Sequence, residues 1–500
     1  MTHCHIVSYI LYLCCLKFIF MERLLTNKII DEKRQGELLD FQKKTSNKKM
    51  YIESYGCQMN FSDSEIVASI MHDSGYSTTK NIADADIAFI NTCSIREKAE
   101  DTARKRISFY NSVKKKENPN LIIGVLGCMA ERLKTKFLDD EKIVDLVIGP
   151  DAYRDLPNLI KDVNDGRKAI NVILSLEETY ADISPVRTGT NGITAFVTIT
   201  RGCDNMCSFC VVPYTRGRER SRDPQSIINE CRKLIQDGYK EVTLLGQNVD
   251  SYLWYGGGPK KHFKKLSKNQ QNESTNFAKL LEIVAINFPE LRIRFSTSNP
   301  QDMTEEVIIT MKNHKNICKY IHLPVQSGSS KILKLMNRGY DRPHYLKLID
   351  MIKKHIPECG ISMDMISGFC TETEKDHLET LTLMDYVKFD YGYMFNYSER
   401  SNTPASRMED DVPNDIKKRR LSEIINKQMK HSLFRNKEKI GKTYNVLIEG
   451  ISKKSSKHFF GRTTQNTVVV FPKGNHEIGE YIQVKINDCT SATLLGNKIS

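Results

Sequence analysis

Short apolar runs separated by longer amphipathic stretches recur from residue 48 to residue 430, and this alternation predicts strands followed by helices in a parallel arrangement. In the first block, residues 50–55, 87–91, 121–126 and 144–148 read as strands of a parallel α/β sheet. Ser62-x-x-Glu65 and Ser94-x-x-Glu97 have the form of capping boxes and predict helix starts just behind two of the strand ends. A second block repeats strand then helix six times, with strands at 194–200, 242–245, 292–296, 320–323, 361–366 and 391–396, which predicts an incomplete (β/α)6 barrel. After Asn436 the pattern changes to short alternating strands at 444–448, 467–471 and 481–486, the signature of a small β-barrel.

The expected organisation is therefore an α/β multidomain chain. An amino-terminal extension covers 1–47, a parallel α/β-sheet domain 48–165, a linker 166–188, the partial barrel 189–430 and the carboxyl-terminal β-barrel 431–500. Residues 6–20 are mostly apolar, but the run is too short for a membrane span and is interrupted by Lys17. It also lacks the basic segment and small-residue cleavage site of a secretory signal. The expectation is that translation begins at Met21, that residues 1–20 are upstream read-through, and that the protein has no membrane association.

Composition narrows the class. A chain of 500 residues exceeds one ordinary domain. Its 14 cysteines lack the dense pattern of small secreted scaffolds, so they point to a reducing, cytoplasmic compartment and to metal rather than disulfides. The net charge of +13 favours a polyanionic partner. Residues 436–500 carry nine Lys and one Arg against five acids, a net +5, and this asymmetry predicts an RNA-binding module. A glycine-rich turn at 256–258 followed by Lys260, Lys261, Lys264, Lys265 and Lys268 reads as a flexible basic loop.

The chemistry lies in two sets of cysteines. Cys203, Cys207 and Cys210 form C-x3-C-x2-C in one loop after the first barrel strand. Three thiolates with no fourth cysteine adjacent leave one iron of a cubane cluster open, and an open position marks a catalytic rather than a structural metal site. S-adenosylmethionine is the ligand that suits the opening; a zinc site is disfavoured because no histidine lies nearby. Cys57, Cys93 and Cys128 each follow a strand of the first block. Ligands bind at the carboxyl ends of the strands in such sheets, so the three can converge on a second cluster. Three buried cysteines acting as small hydrophobes fit the same spacing. Polar loops after the barrel strands add Gly246, Gln247, Asn248 and Gln326 as candidate cofactor contacts.

With both sets placed, the chain resembles the bacterial methylthiotransferase family of the radical-SAM superfamily. The likeness rests on Glu53-Ser54-Tyr55-Gly56-Cys57-Gln58-Met59-Asn60, Asn91-Thr92-Cys93-Ser94, Gly127-Cys128-Met129-Ala130, Arg201-Gly202-Cys203 through Arg220, Leu244-Leu245-Gly246-Gln247-Asn248 and His322-Leu323-Pro324-Val325-Gln326-Ser327-Gly328. It implies a methylthiotransferase domain, a radical-SAM core and a TRAM domain. It also implies that Cys57, Cys93 and Cys128 hold one 4Fe-4S cluster and Cys203, Cys207 and Cys210 another that binds S-adenosylmethionine. The activity implied is methylthiolation of C2 of N6-isopentenyladenosine at position 37 of tRNA, through a 5′-deoxyadenosyl radical, with two S-adenosylmethionine molecules used per turnover.

The partners implied are the tRNA anticodon arm, an electron donor and a sulfur source, with the enzyme itself a monomer. A sibling enzyme acting on threonylcarbamoyladenosine, or on an aspartate of a ribosomal protein, would share both clusters. The stretch from Cys210 to Ser221 resembles the isopentenyl branch more closely. A non-enzymatic RNA-binding metal protein is the alternative of another class. The chain departs from the family pattern at Asn299, at Cys370-Thr371-Glu372 and at Ser401-Asn402. Arginines around Arg216, Arg218 and Arg220 read either as steering charges for phosphate or carboxylate or as solvated surface.

Overall fold

The computed structural model describes residues 36–39, 48–93, 97–134, 143–187 and 191–499, so the expected read-through before Met21 and the Ser94 capping box lie outside the described residues. The amino-terminal domain is a seven-stranded sheet in the order Glu37–Leu38, Lys48–Ser54, Ile87–Asn91, Ile122–Leu126, Leu146–Ile148 and Ala169–Asn171, with Tyr76–Thr78 beside Lys48–Ser54. All neighbours are parallel except Glu37–Leu38, which pairs antiparallel. Helices cover both faces and leave two apolar cores, one around Phe89, Ile148 and Tyr153, the other around Ile90, Tyr110 and Val125. That is the parallel α/β layering expected from its apolar strands.

Two expectations for this domain are corrected. Residues expected as a linker carry the strand Ala169–Asn171, and Tyr180 is buried in the domain core with its hydroxyl donating to the Pro150 carbonyl at 2.9 Å. A three-residue edge strand and one aromatic leave no periodicity to read. Ser62 does not start a helix: the helix runs Gln58–Asp73 with Cys57 at its cap position. The hydroxyls of Ser62 and Ser64 turn outward from the helix instead, to Thr198 Oγ1 at 3.0 Å and Ser54 Oγ at 2.6 Å.

The second domain has six parallel strands in chain order. Thr194–Thr198, Glu241–Leu245 and Arg292–Ser296 form one sheet, and Tyr320–His322, Gly360–Ser367 and Tyr391–Asn396 the other. The two meet through the Ile293 to Ile317 bridge and the Ser298 amide donating to the His322 carbonyl at 3.2 Å, giving the incomplete barrel. The basic segment after Gly258 is ordered: Lys260–Lys265 is a 3₁₀ helix, Lys260 pairs with Glu219 at 3.4 Å, and Tyr255 packs on Phe263.

The long helix Asn414–Lys437 runs across the expected boundary at 430 into a closed five-stranded barrel of Thr443–Ile451, His458–Arg462, Val468–Pro472, Tyr481–Cys489 and Leu494–Lys498. This barrel docks by backbone acceptors. Arg292 donates to the carbonyls of Arg462 at 2.8 Å and Asn445 at 3.3 Å, and Arg294 to that of Thr463 at 2.8 Å, with Glu241 buried among the three arginines.

Candidate metal centre

All six candidate cysteines open on one cavity of about 840 Å³ between the amino-terminal sheet and the carboxyl ends of the barrel strands. Each set is built by backbone geometry. Gly56, at φ +114°, turns the chain after Lys48–Ser54; a Cβ there would lie 2.3 Å from the Cβ of Cys93, so the two cysteine loops approach only because this position has no side chain. Cys57 then caps the Gln58–Asp73 helix and Cys128 opens the Cys128–Leu133 helix, where helix amides favour negative charge on sulfur. The second loop turns at Gly202, φ +76°, whose Cβ would collide with the Arg218 carbonyl at 2.2 Å. Its fold is pinned by the Cys203 amide on Gly217 O at 3.3 Å, the Ser208 amide on Met336 O at 2.9 Å, and Asn337 Nδ2 on Met206 O at 2.9 Å.

The donor set fits iron-sulfur groups. Each set offers three sulfurs, and among the described residues the lining includes no further cysteine. Burial pushes the Cys128 thiol up, with the Arg216 guanidinium opposing and Cys57 adding to the rise. Burial likewise pushes Cys210 up to about 12, and both Cys207 and Cys128 add to it, so the two sets lie within electrostatic reach of one another. Such buried thiols become thiolates when a cation compensates them. Two arginines supply part of that charge: Arg216 Nε donates to Cys128 Sγ and Arg338 Nη1 to Cys207 Sγ, each at 3.2 Å.

Buried ion pairs hold the two domains together here. Asp63, without solvent exposure, accepts from Arg201 Nη1 and Arg216 Nη2, both at 2.8 Å, and Asp151 sits 2.5 Å from Arg220 Nη2. Arg216 and Arg220 are therefore interior ion-pair residues, and only Arg218 matches the solvated alternative, half-exposed beside Asp204 at 3.4 Å.

Of the candidate cofactor contacts, Gly246, Gln247 and Gln326 line the cavity. Both amide atoms of Gln247 are buried without a hydrogen-bond partner among the described residues, which suits a polar ligand. Gln326 is held at φ +70°, with its amide on Asp364 O at 2.9 Å, a strained placement of the kind found at ligand clamps. Asn248 does not reach the cavity. Its Nδ2 donates to Asp302 at 2.6 Å, and Asn205 of the cysteine loop donates to the same carboxylate at 3.3 Å, so it braces that loop.

Sequence reasoning missed Arg338, Asp63 and Asp364, and held His322 only as part of a motif without a role. His322 and Asp364 line the cavity, and His322 Nδ1 meets Ser362 Oγ at 2.8 Å. Ser362 in turn meets Tyr320 at 2.6 Å, Tyr320 meets Tyr391, and Asn466 of the small barrel donates to Tyr391 at 2.7 Å. The spacing of two residues between Tyr320 and His322, and between Ser362 and Asp364, was the available signal, since alternate positions of a strand share a face. Cys231, Cys318, Cys359 and Cys370 are buried outside the cavity lining, and the half-buried Cys489 also lies outside it.

Comparison with known proteins places these parts. Residues 49–149 match the family described as uncharacterized protein family UPF0004, 197–384 the Radical SAM superfamily and 437–499 the TRAM domain. The chain is 64% identical over 474 residues to the tRNA-2-methylthio-N(6)-dimethylallyladenosine synthase of Christiangramia forsetii, covering 94% of this chain and 98% of that protein. It is 60% identical to the protein of the same name from Flavobacterium johnsoniae, with the same coverage. Among solved structures, the radical S-adenosylmethionine methyltransferase TsrM from Kitasatospora setae, with cobalamin and a [4Fe-4S] cluster bound, superposes with a TM-score of 0.52 at 12% identity over 72% of this chain and 77% of that one, a likeness of fold.

Proposed function

The chain belongs to the family of tRNA-2-methylthio-N(6)-dimethylallyladenosine synthases, and on that footing we propose that it exchanges the C2 hydrogen of N6-isopentenyladenosine at position 37 of tRNA for a methylthio group. It is a radical-SAM methylthiotransferase whose cofactors are 4Fe-4S clusters and S-adenosylmethionine. The observation that carries this reading is the opening of two three-cysteine sets, from different domains, on one cavity.

When bound, the group on Cys203, Cys207 and Cys210 supplies the electron that cleaves S-adenosylmethionine, and the group on Cys57, Cys93 and Cys128 supplies sulfur. The chain does the positioning. With three cysteines each, Cys57, Cys93 and Cys128 would hold one group and Cys203, Cys207 and Cys210 the other. Gln247 and Gln326 offer side-chain amides to the polar groups of S-adenosylmethionine, while Asn248 and Asp302 keep the cysteine loop in register. Phe209, Tyr393 and Tyr397 give the cavity aromatic wall on which an unstacked base can lie, as required for chemistry on a nucleobase drawn from a loop.

The TRAM domain indicates an RNA partner, and its exposed lysines fit the phosphates of the anticodon arm. Among the described residues no helix is long and apolar enough to cross a membrane. We place the enzyme in the cytoplasm as a monomer that draws on a separate electron donor and sulfur source. Nucleoside mass spectrometry of tRNA from a deletion strain tests the reading: 2-methylthio-isopentenyladenosine disappears and isopentenyladenosine accumulates. An unchanged modified nucleoside overturns it.

A further inference from the structure

Each cysteine set has one buried arginine reaching a sulfur, and the two arginines differ in what is left over. Arg338, bound to Cys207, uses its remaining groups on the Tyr340 hydroxyl at 3.0 Å and the Pro324 carbonyl at 3.1 Å. Arg216 gives Nε to Cys128 and Nη2 to Asp63, and its Nη1 is buried with no hydrogen-bond partner among the described residues. The side chain stands in the cavity wall, only 2% exposed, and interacts electrostatically with both Cys57 and Cys128. A buried N–H without an acceptor is costly, so it points to an acceptor that the protein chain does not itself provide.

The place of Arg216 in the chain sharpens the point. Cys57, Asp63 and Cys128 belong to the amino-terminal domain, whereas Arg216 follows Cys210 in the barrel domain, just past the short helix Val212–Thr215. One domain thus contributes a cation to the metal ligands of the other. A donor and a positive charge beside a cluster's sulfurs stabilise its reduced, more negative state and raise its reduction potential.

We propose that Arg216 is the positioning residue of the Cys57, Cys93 and Cys128 iron-sulfur group, donating to its sulfur face across the domain boundary and raising its reduction potential. The group's redox behaviour then depends on docking of the barrel domain, because the amino-terminal domain alone lacks the guanidinium. The inference rests on the assignment of the three amino-terminal cysteines to an iron-sulfur group.

The test uses the full chain with Cys203→Ala, Cys207→Ala and Cys210→Ala, reconstituted anaerobically so that only the amino-terminal group is present. Dithionite supplies one electron per cluster in a mediator-buffered titration followed by electron paramagnetic resonance, in parallel with iron and sulfide quantification. Arg216→Gln is expected to shift the reduced-to-oxidised ratio about tenfold toward the oxidised form at a given potential, about 59 mV for one electron. Arg216→Lys falls between. Asp63→Asn removes a neighbouring negative charge but keeps the donor, so it raises the midpoint or leaves it in place.

An unmoved midpoint in Arg216→Gln overturns the proposal. So does a fall shared by Asp63→Asn, which would trace the effect to a loosened domain contact. If Arg216→Gln does not yield folded protein, Arg216→Lys decides by the same criterion, since it keeps a cation beside Asp63 without the forked donors. No iron in the parent triple variant overturns both this proposal and the cluster assignment, whereas iron with an unmoved midpoint overturns this proposal alone.

Discussion

Arg201 donates through Nη1 to Asp63 Oδ1 at 2.8 Å, with both side chains sealed from solvent. Arg201 lies two residues before Cys203, and Asp63 lies on the helix that starts behind Cys57, so this one ion pair relates the two cysteine sets. Asp63 also carries Arg216, which makes it the shared anion of two guanidinium groups from the other domain.

Replacing Asp63 with Ala removes the carboxylate that both buried guanidinium groups share and leaves Arg201 with the more distant Asp151 at 3.7 Å. The expected loss is about 3–5 kcal/mol, the usual consequence of removing one partner from a buried pair. Chemical denaturation of the two proteins measures it, and a loss below about 1 kcal/mol would show that the domain contact does not depend on this pair.

Cys57→Ala and Cys203→Ala are each expected to abolish one group and spare the other. Iron quantification after anaerobic reconstitution should fall by about four atoms in each variant. Reductive cleavage of S-adenosylmethionine should persist in Cys57→Ala and vanish in Cys203→Ala. Loss of all iron in either single variant would contradict two independent sites.

Gly56→Ala places a Cβ 2.3 Å from that of Cys93 on a backbone at φ +114°. The cysteine loops must part, so the amino-terminal group should be lost while the Cys203 group remains. Retention of both groups at full iron content would show that the close approach is dispensable.

Burial pushes the Asp250 carboxyl up to about 8, although it accepts from the Asn299 amide at 3.0 Å and Ser298 Oγ at 3.2 Å. The folded chain therefore holds a proton there that the unfolded chain releases near pH 3.8. Its stabilising contribution is complete below that value and is lost as pH rises toward about 8. Asp250→Asn should flatten this part of the slope, measured as thermal midpoint across pH 6–9; a slope unchanged by the substitution would place its origin elsewhere.

Lys453, Lys454 and Lys457 stand exposed in the turn between strands Thr443–Ile451 and His458–Arg462 of the small barrel. Changing all three to Glu should weaken tRNA binding and flatten its salt dependence, by about 0.7–0.9 in the log–log slope for each phosphate that is no longer neutralised. Equal slopes for the two proteins would remove this turn from the RNA interface.

Much of the architecture was readable because it depends on local pattern. Apolar strands followed by amphipathic helices located the sheet and the six barrel strands, and alternation located the small barrel. The strand at Ala169–Asn171 and the burial of Tyr180 were not readable, since an edge strand of three residues is stabilised by its neighbour rather than by its own sequence. The helix start at Cys57 was misread for a related reason: Ser62 and Ser64 have the chemistry of caps, but their hydroxyls find partners on another strand and another domain.

The cysteine chemistry divides in the same way. Spacing alone made Cys203, Cys207 and Cys210 a candidate three-thiolate loop, because residues held within a single turn are a local property. Strand ends made Cys57, Cys93 and Cys128 a candidate set that fitted a cluster and three buried hydrophobes equally; that all six cysteines open on one cavity is something only the structure brings to that choice. Only tertiary structure distinguished Arg216 from Arg218, two residues apart in one arginine-rich run. One is sealed against Asp63 and Cys128 and the other half-exposed beside Asp204. Burial and long-range ion pairing are decided by how the domains dock, and spacing along the chain does not encode that.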